Sequence, residues 1–363
     1  MTPRYLGKAE HAVHVREQAP RHPRFIAGIA RLAGVVVPAA GRCWDSPGPP
    51  MGPYACGPSP LDQLLADVAG FRGREALARS AARHGASHPV LHARLVEELS
   101  ASGDLEAAIG AAQGALAAVP DGRRPERAHV ADLMFEAAQE AGRVSEAAAA
   151  AEAGFAAGLD LQRFLRLRRV GSPEAVARGV AALKGAPPRG REAMAVLFLA
   201  GEFNLLWSSV KDDGAALGWS RSDKGAAFPL VLALLFEGTD WGRVAAGLVR
   251  AVVEGCGAAV ADEFMEVARD VDTRVPAGDF AAYRAWCRAE IEARVEAIVG
   301  NQRRGAYGRA AALIVAYAET VDLAAGGGRP AALAYVDVFR DRYPRHSAFR
   351  RELDASLARS SLG

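Results

Sequence analysis

Residues 102–120 constrain the fold more than any other stretch of the chain. Ser102-Gly103-Asp104-Leu105 supplies a turn glycine and an acidic start, Ala107, Ala108, Ala111, Ala112 and Ala115 follow at helical spacing, and Pro120 closes the run. Small side chains at a helix crossing let two helices approach closely, so the stretch reads as the second half of a helical hairpin. Such a hairpin cannot bury its apolar face alone and has to stack on others. One unit therefore predicts an array.

A second turn glycine, Gly142, lies about 39 residues after Gly103, with a short insertion around Gly122–Pro125. Val130, Phe135 and Ala138 precede it, and Ala147, Ala151 and Phe155 follow. The equivalent positions Ala108 and Ala147 are expected at close crossings. Helical periodicity with turn punctuation continues from Leu61 to the end of the chain. Leu61, Leu64, Leu65, Val68 and Phe71 form one apolar stripe, and Leu91, Leu95, Val96 and Leu99 another. Further helices are expected over 161–170, 172–184, 193–199, 203–210, 228–236, 244–253, 258–271, 279–299, 307–323, 330–342 and 346–357. Ser172-Pro173-Glu174 reads as N-cap, first helical residue and first-turn acid. Residues 211–226 break the pattern as a polar loop carrying Trp219, and Pro229 is expected in the first turn of the helix that follows. No segment alternates as a strand would. The expectation is an all-α chain, an α-solenoid of stacked antiparallel helical hairpins, with an irregular arm over 1–60, helical repeats over 61–200 and a further helical-repeat region over 201–358.

Composition sets the boundaries on function. The chain has 363 residues, half of them apolar, and a net charge of +2. That size can bury a large core, and that charge gives no electrostatic drive toward nucleic acid or an anionic membrane. Lys8, Lys184, Lys211 and Lys224 are the only lysines, the remaining basic residues being Arg. Together with the abundant Ala and Gly this reads as a GC-rich bacterial genome, not as phosphate recognition. Cys43, Cys56, Cys256 and Cys287 form no C-x-x-C and no zinc spacing, as expected of a reduced cytoplasmic protein. Arg31 splits the apolar run 25–40 and Arg42 precedes Cys43 where a lipobox needs a small residue, so no secretion signal is expected. The prolines between 42 and 60 exclude a helix there, and Met51 is an alternative start. No uninterrupted apolar stretch has the length of a membrane span.

Two resemblances follow from these residues. Leu95, Gly103, Ala108, Ala115 and Pro120, then Gly142 and Ala147, make residues 87–160 similar to tetratricopeptide repeats, although Ala111 and Ala112 stand where that family places larger groups. The resemblance implies a protein or peptide partner held on a repeat surface. Tyr307-Gly308-Arg309-Ala310-Ala311 to Ala318-Glu319, and Tyr343-Pro344-Arg345-His346 to Leu353, resemble helical regions of bacterial proteins with SWIM-type zinc fingers. The finger itself, C-x-C followed by C-x-H, is missing, so no metal or DNA role carries over.

No catalytic, cofactor or metal constellation emerges. His84, His88 and His92 recur every four residues, but Gly85 and Pro89 interrupt the helix that would align them, leaving turn and surface histidines. Asp262, Glu263, Glu266, Asp270 and Asp272 alternate with apolar residues as a solvated face does. Gly326-Gly327-Gly328 is followed by Arg329-Pro330 and not by a phosphate-loop Lys. The candidate partner-binding residues are Trp219, Arg221 and Asp223 in the polar loop, and Arg163 and Arg166 in a basic cluster with Arg168 and Arg169. A second basic cluster holds Arg340, Arg342, Arg345, Arg350 and Arg351. The leading expectation is a non-catalytic interaction or scaffold protein with no cofactor. A nucleic-acid-associated helical protein and a hydrolytic enzyme using the 212–223 loop are the alternatives.

Overall fold

The computed structural model describes residues 60–185, 190–214, 217, 222–238, 240–323 and 327–363. The arm over 1–59, with Cys43 and Cys56, therefore lies outside the described residues. The described chain is all-helical, with seventeen α-helices and no strand among the described residues. It divides at Ala150/Ala151 into two compact units, so the division expected at residue 200 falls inside the second unit.

In the first unit α1 (Pro60–Phe71), α2 (Arg74–His84), α3 (Val90–Ala101), α4 (Leu105–Ala118) and α5 (Arg124–Glu140) follow one another. Each packs on the next, and α1 with α3 and α3 with α5 pack as next-but-one neighbours. The turn chemistry explains the regularity. Gly103 adopts φ 77° and Gly142 φ 68°, both in the left-handed region. Asp104 N–H donates to Leu99 O at 3.0 Å, and Arg143 N–H to Ala138 O at 2.8 Å. Each is a six-to-one bond closing a helix end, a turn that favours glycine because a Cβ would be strained there. The buried face of α4 consists of Ala108, Ile109, Ala112 and Ala115. Arg127 donates from one guanidinium nitrogen to Leu116 O and Val119 O, both at 2.6 Å, and so satisfies carbonyls at the end of α4.

Two expectations for this unit need correction. The stripe on α1 is not the buried one: Leu64 and Phe71 are 45% and 53% exposed, while Ala66 and Ala69 are buried against Leu77, Ala81 and Leu91. Close approach between helices favoured the small residues over the large. The helix α2 was not expected at all, since its polar sequence carries only Leu77 and Ala81 into the core.

The division between the units falls within α6 (Val144–Ala157). The second unit continues with α7 (Leu161–Val170), α8 (Pro173–Gly185), α9 (Arg191–Leu199), α10 (Phe203–Ser208), α11 (Asp223–Leu234), α12 (Arg243–Val253), α13 (Ala258–Arg269), α14 (Ala277–Val295), α15 (Tyr307–Leu323), α16 (Arg329–Arg342) and α17 (Ser347–Ala358). Three helices are buried on nearly all sides, α9 among them from Ala193 to Leu199. α11 is buried from Ala226 to Leu234 and packs on α9, α12 and α14; α15 is buried from Leu313 to Thr320 and packs on α12, α14, α16 and α17. α11 begins at Asp223, with Ser222 Oγ accepting from Gly225 N–H at 3.0 Å, so Pro229 stands inside the helix and not in its first turn. The polar loop is correspondingly shorter than expected. Ser172 caps α8 as expected, its Oγ accepting from Ala175 N–H at 3.2 Å.

A buried carboxylate ties three segments of this unit together. Glu319 on α15 is 1% exposed. It accepts from Val244 N–H at 3.3 Å and Ala245 N–H at 3.0 Å at the start of α12, and from Ser361 N–H at 3.0 Å after α17. Gly242 leaves the necessary room, because a Cβ there would lie 2.2 Å from the Glu319 carboxyl carbon.

Two stability predictions follow. Glu319→Ala strands the buried Ala245 N–H and the part-buried Val244 and Ser361 N–H donors and is expected to cost about 3 kcal/mol in chemical denaturation, at 1–3 kcal/mol for a buried donor left without a partner and less for the other two. A loss near zero would mean that water replaces the carboxylate. Ala108 is 0% exposed. Ala108→Leu is accordingly expected to overpack α4 by about 1–3 kcal/mol. An unchanged melting temperature would show that the crossing has room to spare.

Candidate functional site

The functional candidate is an open cleft in the second unit, built around the short helix α10. Gly201, at φ 74°, turns the chain out of α9, and Glu202 N–H donates to Leu197 O at 2.9 Å in the same turn geometry as at Gly103 and Gly142. From there the helical period sends Phe203 and Leu206 into the core and leaves Asn204 and Ser208 on the outer face. Phe203 packs on Phe198 with ring centroids 5.7 Å apart. Trp207 stands half-buried on the flank.

The opposite wall comes from α14, where Asp279 in the first turn and Tyr283 four residues on share a face. Asn204 links the walls. Its Oδ1 accepts from Tyr283 Oη–H at 2.6 Å, and its Nδ2 donates to Asp279 Oδ2 at 3.3 Å. Trp207 meets Tyr283 edge to face at 5.2 Å, and Lys211 Nζ lies 4.8 Å from the Trp207 ring centre. Two adjoining depressions result. One, of about 570 Å³, is lined by Lys184, Glu202, Asn204, Leu205, Trp207 and Asp279 among others. The second, of about 350 Å³, shares Glu202, Asn204 and Asp279 and adds Asp272, Arg274 and Tyr283.

The electrostatics of the cleft are uneven. Lys184 Nζ holds Glu202 at 2.8 Å. Arg274 holds Asp272 through both guanidinium bonds, at 2.8 and 2.7 Å, and through its backbone N–H, which keeps the Asp272 carboxyl down at about 2. Burial, reinforced by the nearby Asp279 charge, pushes the Tyr283 phenol up to about 12, so it stays a neutral donor. The indole Nε1 of Trp207 is buried with no acceptor among the described residues.

The residues singled out from the sequence are placed differently. Trp219 and Arg221 lie outside the described residues. Asp223 opens α11, and its Oδ1 accepts from Gly190 N–H at 2.7 Å. Arg163 pairs with Asp160, whose Oδ1 also accepts the Arg163 N–H at 2.9 Å as the N-cap of α7. Arg166 is half-buried on the same helix and engaged within the fold. Arg168 donates to Leu199 O at 2.7 Å, and Arg169 faces Glu263 at 3.6 Å. In the second basic cluster Arg340 bonds Asp337 and Asp354, at 2.7 and 2.5 Å. These arginines close helix ends and neighbouring carboxylates. Of the five predicted residues, the three that are described, Asp223, Arg163 and Arg166, do not line the cleft.

Asn204, Asp279 and Tyr283 were missed. The available signals were slight: a polar Asn inside the apolar run Phe203–Trp207, and an acid and a tyrosine four residues apart on a helix.

The histidines depart from expectation as well. His88 Nδ1 lies 2.6 Å from Asp62 Oδ1, and His92 is 9% exposed, so it is a buried residue and not a surface one. Gly85 makes room for it, since a Cβ there would lie 2.0 Å from His92 Nε2. Among the described residues no group of three or more His, Cys, Asp or Glu is placed to hold a metal ion. None of the described helices is long and apolar enough to cross a membrane. No protein-family model, curated protein or solved structure matches the chain.

Burial pushes the His92 imidazole below its ordinary 6.5. The folded state holds the ring neutral, whereas the unfolded chain takes up a proton near that pH. Stability tied to this group is therefore complete above the unfolded value and is lost as pH falls through and below it. The melting temperature is expected to drop between about pH 7 and pH 5 more steeply than that of His92→Leu. Parallel curves for the two proteins would assign the pH dependence elsewhere.

Proposed function

We propose that the protein is a non-catalytic interaction protein of the α-solenoid, tetratricopeptide-like kind, and that the α10 cleft engages a protein or peptide partner. The observation that carries this reading is the cleft itself: an open depression in which the half-buried Trp207 indole and the exposed Asn204 amide meet beside apolar Leu205, above the buried Tyr283 ring. Large aromatic side chains with one polar edge are the groups that anchor interfaces. The interruption of a helical array by a short helix also presents side chains that continuous stacking would cover. Three turns of one geometry, at Gly103, Gly142 and Gly201, support the repeat assignment. For a cytoplasmic setting, the supporting feature is that Cys256 and Cys287 are free thiols, with Cys287 buried and Cys256 pushed by burial up to about 11.

Ser208 is exposed on the cleft rim, where a larger side chain fills the opening without touching the core. Ser208→Trp is expected to leave the melting temperature within about 1 °C, because surface substitutions usually change stability little. It is expected to abolish capture of the partner in affinity purification from the native host, read by quantitative mass spectrometry against the wild-type protein. An identical set of captured proteins would remove the cleft from the binding surface.

A further inference from the structure

We propose that the outer face of α1 is a docking surface for a segment of this same chain, residues 25–36, which pack there as one more helix of the array. The inference concerns the first unit and is independent of the α10 cleft.

The argument starts from the two faces of α1. Ala66 and Ala69 are buried against Leu77 and Ala81 of α2 and Leu91 of α3. Leu64 and Phe71 each stand two residues away from one of these alanines, about 200° round the helix. They are 45% and 53% exposed, with half-buried Val68 between them. The spacing of the three, i, i+4 and i+7, makes one apolar stripe along the side of α1 that faces away from α2 and α3. The terminal unit of a stacked array needs a polar outer face, because nothing further covers it. α1 has the two apolar faces of an internal member instead.

The sequence that precedes α1 supplies the occupant. Phe25, Ile29, Leu32 and Val36 recur at i, i+4, i+7 and i+11, the spacing of the stripe on α1, and Arg31 falls off this face. Arg24 and Arg31 lie seven residues apart on one flank of the segment's stripe, and the exposed Asp67 flanks that of α1, so the edges are complementary in charge as well. Pro38 ends the run. Residues 37–59 then connect it to Pro60. At about 3.3 Å per residue this connection reaches roughly 75 Å, against roughly 18 Å for the length of α1, so the segment can return along the helix. A tethered segment meets its site at an effective concentration on the millimolar scale, which favours it over a second copy of the chain in dilute solution.

The test is hydrogen exchange of the full chain read by mass spectrometry, with sedimentation velocity at the same concentrations. In the wild-type monomer the amides of residues 26–36 are expected to exchange about tenfold or more below the rate of an unstructured chain. Ile29→Asp with Leu32→Asp is expected to remove that protection and to speed exchange across α1 about tenfold. Leu64→Asp with Phe71→Asp, changed on the other partner, is expected to release residues 26–36 in the same way. Ala27→Asp, on the side of the segment opposite its stripe, is expected to leave both protected. Far-UV circular dichroism checks that each variant keeps the helical fold. Amides of 26–36 that exchange freely in the wild type overturn the proposal, as does protection there that survives the two changes on α1. Equal loss in Ala27→Asp overturns the assignment of the stripe. Protection of α1 that appears only as the chain dimerises gives the face to a second copy, and overturns the proposal likewise.

Discussion

The second unit is organised about one buried carboxylate. Placing the Glu319 carboxyl group at 1% exposure is costly unless several donors meet it. Here the donors are the backbone amides that open α12 and the chain after α17, together with Ser361 Oγ at 3.3 Å. The amides that start α12 have no partner within their own helix, so the carboxylate satisfies them and lies at the positive end of the helix dipole. The same side chain that would destabilise the core if unmet therefore fixes the start of one helix and the end of the chain on a third element. Gly242 belongs to this arrangement. Any side chain at that position would drive into the carboxylate and separate α12 from α15.

Helix ends are managed by a common chemistry elsewhere in the chain. Arg127 and Arg168 donate to carbonyls at the ends of α4 and α9, and Arg191 donates to Ala251 O near the end of α12. A long guanidinium reaches carbonyls that a short helix leaves unsatisfied, and its positive charge suits the negative end of the dipole. On α7 this accounts for Arg168, while Arg163 and Arg169 pair with the carboxylates of Asp160 and Glu263. It also shows why a run of arginines in sequence is a poor indicator of a binding surface: Arg163, Arg168 and Arg169 share one helix, yet each is directed to a different internal partner.

How much could be read from the sequence follows the range of the interaction involved. Short-range signals were legible. The turn glycines, the Ser172 cap and the apolar periodicity of α15 each depend on a few consecutive residues, and the helices from α12 to α17 begin and end within about three residues of their expected limits, apart from α14. There the chain passes into a π-helical turn at Glu296–Gly300, so the helix stops at Val295. The turn that follows has the six-to-one bond of the glycine turns, Arg303 N–H to Ile298 O at 2.8 Å, but with Gln302 at φ 52° in the glycine position. Long-range choices were not legible. Whether α1 buries Leu64 and Phe71 or Ala66 and Ala69 depends on how closely α3 approaches, and whether His92 is enclosed depends on the missing side chain of Gly85. Lys224, read only as one of four lysines, is 3% exposed and bonded to Glu290 at 2.6 Å and to Asp213 O at 2.8 Å, a partnership between residues far apart in the chain.

The cleft belongs to that second kind. Asn204 and Tyr283 are separated by 79 positions, and nothing local to either announces the other. What the sequence does contain is the condition for a cleft to exist. α10 has six residues, against nine to nineteen for the other helices of the second unit. A helix of six residues has too few turns to cover a neighbour of nineteen, so part of α14 stays open beside it. The polar residues that the long helix would otherwise have to exclude, Asp279 and the Tyr283 hydroxyl, can then be kept, provided something satisfies them. Asn204 does so with the two ends of one amide. Helix length, more than any motif, is what places a charged and aromatic surface at this point in a chain otherwise built to bury alanine.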